Sequence, residues 1–128
     1  MILSIQGLMF RGEVIQDTGF QVLGHILGIN AQPVKQAQLT SISVKVYDSL
    51  DISSAVVDTT LTISDVIFDT LQSDNRWCYE DGYNFLHKVS AAYTPNGWRT
   101  YKYFYTFNPT TGDDWKVLGE VDSIAAIG

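Results

Sequence analysis

The amino-acid sequence predicts an all-β domain, an antiparallel β-sandwich of about seven or eight strands. Three observations carry this expectation. Apolar residues recur at spacing two rather than three to four, so no helix is expected anywhere. Turn residues interrupt the chain at short intervals. The stretch from Gly97 to Val121 holds two such runs around Asn108-Pro109-Thr110-Thr111-Gly112-Asp113-Asp114, the pattern of a β-hairpin.

In that hairpin, Tyr101, Tyr103, Tyr105 and Phe107 fall on one face of an extended strand. Thr100, Lys102, Phe104 and Thr106 fall on the other. After the turn, Trp115, Val117 and Val121 alternate with Lys116 and Glu120. The aromatic face, with Trp115, is expected to be core.

The remaining strands follow in order. Leu8 to Ile15 makes the first, closed by Gln16-Asp17-Thr18-Gly19. Phe20 to Ile29 makes the second, with Gly24 and Gly28 expected at a bulge or a close approach. Thr40 to Asp48 has the cleanest alternation of the first half, with Ile42, Val44 and Val46 inward. Asp48-Ser49-Leu50-Asp51 is a turn, and Ser54 to Asp58 a short edge strand. Leu61 to Phe68 continues extended, and Thr70 to Arg76 is a polar loop. Tyr83 to Val89 is a further strand, and Tyr93-Thr94-Pro95-Asn96-Gly97 turns into the hairpin.

Length and composition fit one domain over residues 1–128. At 128 residues with 45% hydrophobic and 17% charged residues, the chain can bury a sizeable core. Fourteen acidic against eight basic residues give −6. That field repels a polyanion, so nucleic acid is not expected as a partner. The single Cys78 permits no intrachain disulfide, which fits assembly in a reducing compartment. No stretch approaches the roughly 20 apolar residues of a membrane span.

Signs of chemistry are weak. His25, Cys78 and His87 are too far apart for a metal-ligand motif, and strand packing explains them better. Asp48 with Asp51, and Asp113 with Asp114, read as turn residues before they read as calcium ligands. There is no G-x-S-x-G elbow, no Cys–His pattern and no phosphate-cradling glycine loop. No enzyme and no cofactor are expected.

Two features point to binding. Trp77 and Trp98 flank polar or turn segments. Such aromatics serve as protein-interface anchors, or as sugar-stacking platforms in a carbohydrate-binding module. Both ends of the chain are apolar: residues 1–8 contain Ile2, Leu3, Ile5 and Leu8, and residues 123–128 contain Ile124 and Ile127. Free ends are usually polar and loose. These segments read as terminal arms, docked on the chain's own sheet or added to a neighbouring copy's. On the second alternative, removing Met1 to Leu8 abolishes association and leaves the fold intact.

Tyr101, entering the penultimate strand just after Gly97, resembles the tyrosine corner of immunoglobulin-like sandwiches. Ser43-Val44-Lys45-Val46-Tyr47-Asp48, the run from Leu61 to Leu71 and the final hairpin are similar to small immunoglobulin-like structural proteins of tailed bacteriophages. The resemblance covers roughly residues 8 to 122 in layout and supplies no catalytic or ligand motif. It implies a virion protein assembled in a bacterial cytoplasm, of capsid-decoration, head–tail or tail-accessory type. Such a protein binds other virion proteins in multiple copies, without cofactors.

Overall fold

The computed structural model describes residues 1–28 and 30–126. Two sheets pack face to face. One has the order β1-β3-β7-β6, formed by Ile2–Ser4 (β1), Phe20–Gly24 (β3), Tyr83–Val89 (β7) and Ile67–Gln72 (β6). The other has the order β2-β9-β8-β4-β5, formed by Met9–Ile15 (β2), Trp115–Ile124 (β9), Arg99–Pro109 (β8), Leu39–Asp48 (β4) and Val57–Leu61 (β5). The all-β sandwich read from the sequence is the fold.

Several details differ. Among the described residues there are nine strands rather than seven or eight, because Ile2–Ser4 also joins a ladder. The strand expected at Leu61 to Phe68 lies instead at Ile67–Gln72, running into the predicted polar loop. Two pairings, β1 with β3 and β2 with β9, are parallel. Neither pair is joined by a hairpin loop, so no loop dictates its direction. Strand β3 ends at Gly24 rather than at position 29, which lies outside the described residues. One helical turn, Ile63–Val66, interrupts the predicted extended run from Leu61 to Phe68.

The hairpin behaves as its periodicity dictates. Tyr101, Tyr103, Tyr105 and Phe107 are fully buried between the sheets, and Trp115 stacks on Phe107 with ring centroids 5.4 Å apart. Phe10 on β2 lies edge-on to Tyr103 at 5.8 Å. Its ring occupies the space a side chain at Gly119 would fill. A second, smaller cluster covers the outer face of the four-stranded sheet, where Trp77 packs with Leu23, Tyr83 and Leu86. This is why β7 is buried on both faces rather than one.

Buried polar groups tie the loops down. Asn84 accepts from the Ile26 N–H at 2.7 Å and donates to the carbonyls of Ile26 and Val34. One amide thus fixes the chain beyond β3. The Tyr101 hydroxyl accepts from the Asn96 N–H at 3.0 Å, five residues upstream. The hydroxyl therefore anchors the turn that feeds β8. Tyr101→Phe removes that acceptor, and urea denaturation is expected to register a loss of about 1 kcal/mol.

Candidate functional site

Two surfaces stand out, at opposite ends of the sandwich. The first surrounds the start of β8. Gly97 is wedged against the β9 end, where an added Cβ would lie 2.6 Å from Ala125 Cα and also strike Gln16. With Gly97 held there, Trp98 takes φ +58 and donates its N–H to the Ser123 carbonyl at 2.6 Å. A positive φ is a costly conformation for a bulky side chain. The indole nevertheless gains little burial, being 69% exposed.

Beside it runs the β4–β5 connection. Ser49 donates to the Thr100 carbonyl, and Arg99 pairs with Asp48 at 2.9 Å, so this connection leaves the fold next to Trp98. It carries Leu50 and Ile52, each 74% exposed. Asp51 accepts from the Ser53 hydroxyl and N–H, and both bonds hold its carboxyl below the usual range. Aspartates and serines thus shape the turn and leave the two aliphatic side chains projecting.

The second surface is a groove of about 840 Å³ at the other end. One wall is the β1–β2 connection, where Gly7 at φ +64 makes a tight turn between Gln6 and Met9. The other is the segment from Trp77 to Asp81, and His25 and Leu27 form the floor. Asp81 accepts from the Trp77 indole at 3.0 Å and lies 3.3 Å from His25 Nδ1. Gln6 donates to the Tyr79 hydroxyl at 2.9 Å, linking the two walls. Behind Trp77, Asp74 is held at about 2 by hydrogen bonds from Arg76 and Tyr83. This brace fixes the start of the wall.

The predicted contact residues divide accordingly. Trp98 is exposed, as is Leu8, which lines the groove. Ile2 is only 37% exposed on edge strand β1. Leu3 and Ile5 are buried in the main core, which corrects their reading as partner contacts. Leu3 fills the space over Gly12, and Ile5 sits 2.8 Å from a Cβ placed on Gly24. Trp77, 8% exposed, is likewise spent on the fold's own second cluster. Ile124 is half-buried at the end of β9, and Ile127 lies outside the described residues. Residues 1–8 and 123–126 are therefore chiefly strand and turn docked on the chain's own sheets, the first of the two alternatives, and not arms projecting to a neighbour.

Sequence reasoning missed Leu50, Ile52, Tyr79 and the His25–Asp81 pair. Leucine and isoleucine inside an Asp/Ser turn were a signal available for the first two. The groove joins residues more than fifty positions apart, and no spacing encodes that. Among the described residues no three His, Cys, Asp or Glu side chains gather to hold a metal ion. None of the hydrogen bonds found for the described residues links a serine, threonine or cysteine side chain to either histidine. Comparison of the chain with models of protein families, with curated proteins and with solved structures finds no match.

Proposed function

We propose that the protein is a non-enzymatic structural component of a tailed-phage particle, an immunoglobulin-like module that docks in many copies on a symmetric protein lattice. A capsid decoration or a head–tail or tail-accessory role fits best. The observation that carries this reading is Trp98: a bulky apolar side chain in a costly backbone conformation, projecting into solvent from a rigid hairpin. Strain of this kind clusters at functional sites, and tryptophan is among the residues enriched as interface anchors. Leu50 and Ile52 extend the same apolar end. Repeated on a lattice, modest contacts of this kind multiply through avidity.

The immunoglobulin-like assignment is supported by strand order. The sheet β1-β3-β7-β6 parallels the A-B-E-D order, and β9-β8-β4-β5 parallels G-F-C-C′. The Tyr101–Asn96 bond resembles a tyrosine corner, at the start of β8, the strand matched to F. The carbohydrate alternative loses its two-tryptophan platform, since Trp77 is buried and Trp98 lies at the other end.

The test is particle occupancy. Particles purified from cells carrying the gene are expected to contain the protein at a fixed multiple-copy ratio by quantitative mass spectrometry. Trp98→Gly is expected to weaken docking at least about thirtyfold, as loss of an anchor does. The same change removes the left-handed strain, so stability stays level or rises by up to about 1 kcal/mol. Full occupancy by a stable Trp98→Gly protein, or no protein in the particles at all, overturns the proposal.

A further inference from the structure

The groove at the opposite end has a composition that selects a ligand. Of its charged lining residues, Glu80 and Asp81 are acidic, and neither lysine nor arginine takes part. Asp81 already accepts from the Trp77 indole, and His25 Nδ1, 3.3 Å from it, lies closer to the Gly82 carbonyl, at 3.0 Å. Glu80 is exposed and forms no ion pair among the described residues. Next to it the Tyr79 ring is 45% exposed and stands edge-on to Trp77, with centroids 5.2 Å apart. Leu8 in one wall and Leu27 in the floor, both about half exposed, supply apolar lining.

An unpaired carboxylate and an aromatic ring that line one groove both attract a cation, by charge and by the ring quadrupole. Apolar walls suit the methylene stem that a lysine or arginine carries behind its charge. The chain's net charge of −6 favours approach of a basic partner. The Gln6–Tyr79 bond and the Trp77–Asp81 bond hold both walls in place beforehand, which lowers the ordering cost of binding. We propose that this groove is a second contact site, which takes a cationic side chain on an apolar stem, a lysine or arginine of a partner polypeptide. This inference does not rest on the phage reading, because the groove and Trp98 lie at opposite ends.

Titration of the full chain, followed by amide and indole NMR shifts, tests it. The probes are Nα-acetyl-lysine amide and Nα-acetyl-arginine amide, with the uncharged norleucine amide and a methyl glucoside as controls. The cationic probes are expected to shift Gln6, Gly7, the segment Tyr79 to Asp81 and the Trp77 indole saturably, and less so as salt rises. Comparing the two cations tells which head group the site prefers. Glu80→Gln and Tyr79→Ala, both at exposed positions, are each expected to weaken binding about fivefold. Trp98→Gly should leave these shifts unchanged, so failure here is separable from failure of the docking proposal. Equal shifts with norleucine amide, saturable binding of the glucoside instead, or no shifts in the groove would each overturn the assignment.

Discussion

A protein lacking Met1 to Leu8 is expected to lose its fold at room temperature. This reverses the expectation of the neighbour-docked alternative, that such a truncation spares the fold, and follows from the own-sheet docking that the sequence left equally open. The segment carries Leu3 and Ile5, both in the main core. Each fills a place prepared for it, Leu3 over Gly12 and Ile5 beside Gly24. Glycine has no side chain that could take over the space they leave. Emptying two buried aliphatic positions costs about 4 to 10 kcal/mol by analogy with core truncations, and a domain this size holds about 5 to 15 in total. The loss of β1 also strips β3 of its outer neighbour. Circular dichroism melting measures the effect, with Leu3→Ala/Ile5→Ala as the interior control and Ile2→Ser/Leu8→Ser as the surface control. The interior pair should lower the midpoint steeply, and the surface pair should barely move it. A truncated protein melting within a few degrees of the parent would show that the segment is a dispensable arm.

That reversal marks where sequence reasoning ends for this chain. Strands with one buried face were legible: Leu39–Asp48, Arg99–Pro109 and Trp115–Ile124 alternate because one side of each meets the core. Segments buried on both faces lose that signature. Tyr83–Val89 reads as a simple alternating strand, yet Leu86 packs outward under Trp77 while Phe85 packs inward. Short apolar segments are ambiguous for another reason. Three residues of β1 cannot display a period, so composition alone suggested an arm. Trp77 and Trp98 both adjoin polar or turn residues, and neither spacing nor composition tells which of the two is buried. One covers a cluster and the other projects, and the difference arises from residues such as Leu23 and Gly97, which lie elsewhere in the fold or act through their packing.

The remaining large effect is one of pH, and it arises in the core. His87 is buried on β7, its Nδ1 2.6 Å from the Tyr105 hydroxyl and its ring among those of Tyr93 and Tyr105. Burial disfavours its charged form and lowers its pKa from 6.5 to about 4. Burial also raises Tyr105 well above 10, so that partner stays a neutral hydroxyl. The unfolded chain therefore binds a proton near pH 6.5 that the folded chain refuses until about pH 4. Stability must rise with pH across this window, because the unfolded state holds more protons there. The contribution is complete above 6.5, declines as pH falls, and is exhausted below about 4. At 1.36 kcal/mol per pH unit the whole step amounts to about 3 kcal/mol. Asp74, held at about 2 in the folded chain, adds pH dependence mainly below the window, where its unfolded carboxyl binds a proton. Urea unfolding at pH 7.5 and pH 4.5 should thus differ by about 2.5 kcal/mol in the parent. In His87→Gln that difference should largely vanish, whatever the variant's absolute stability. Equal pH dependence in the two proteins would mean that the imidazole is not the group responsible.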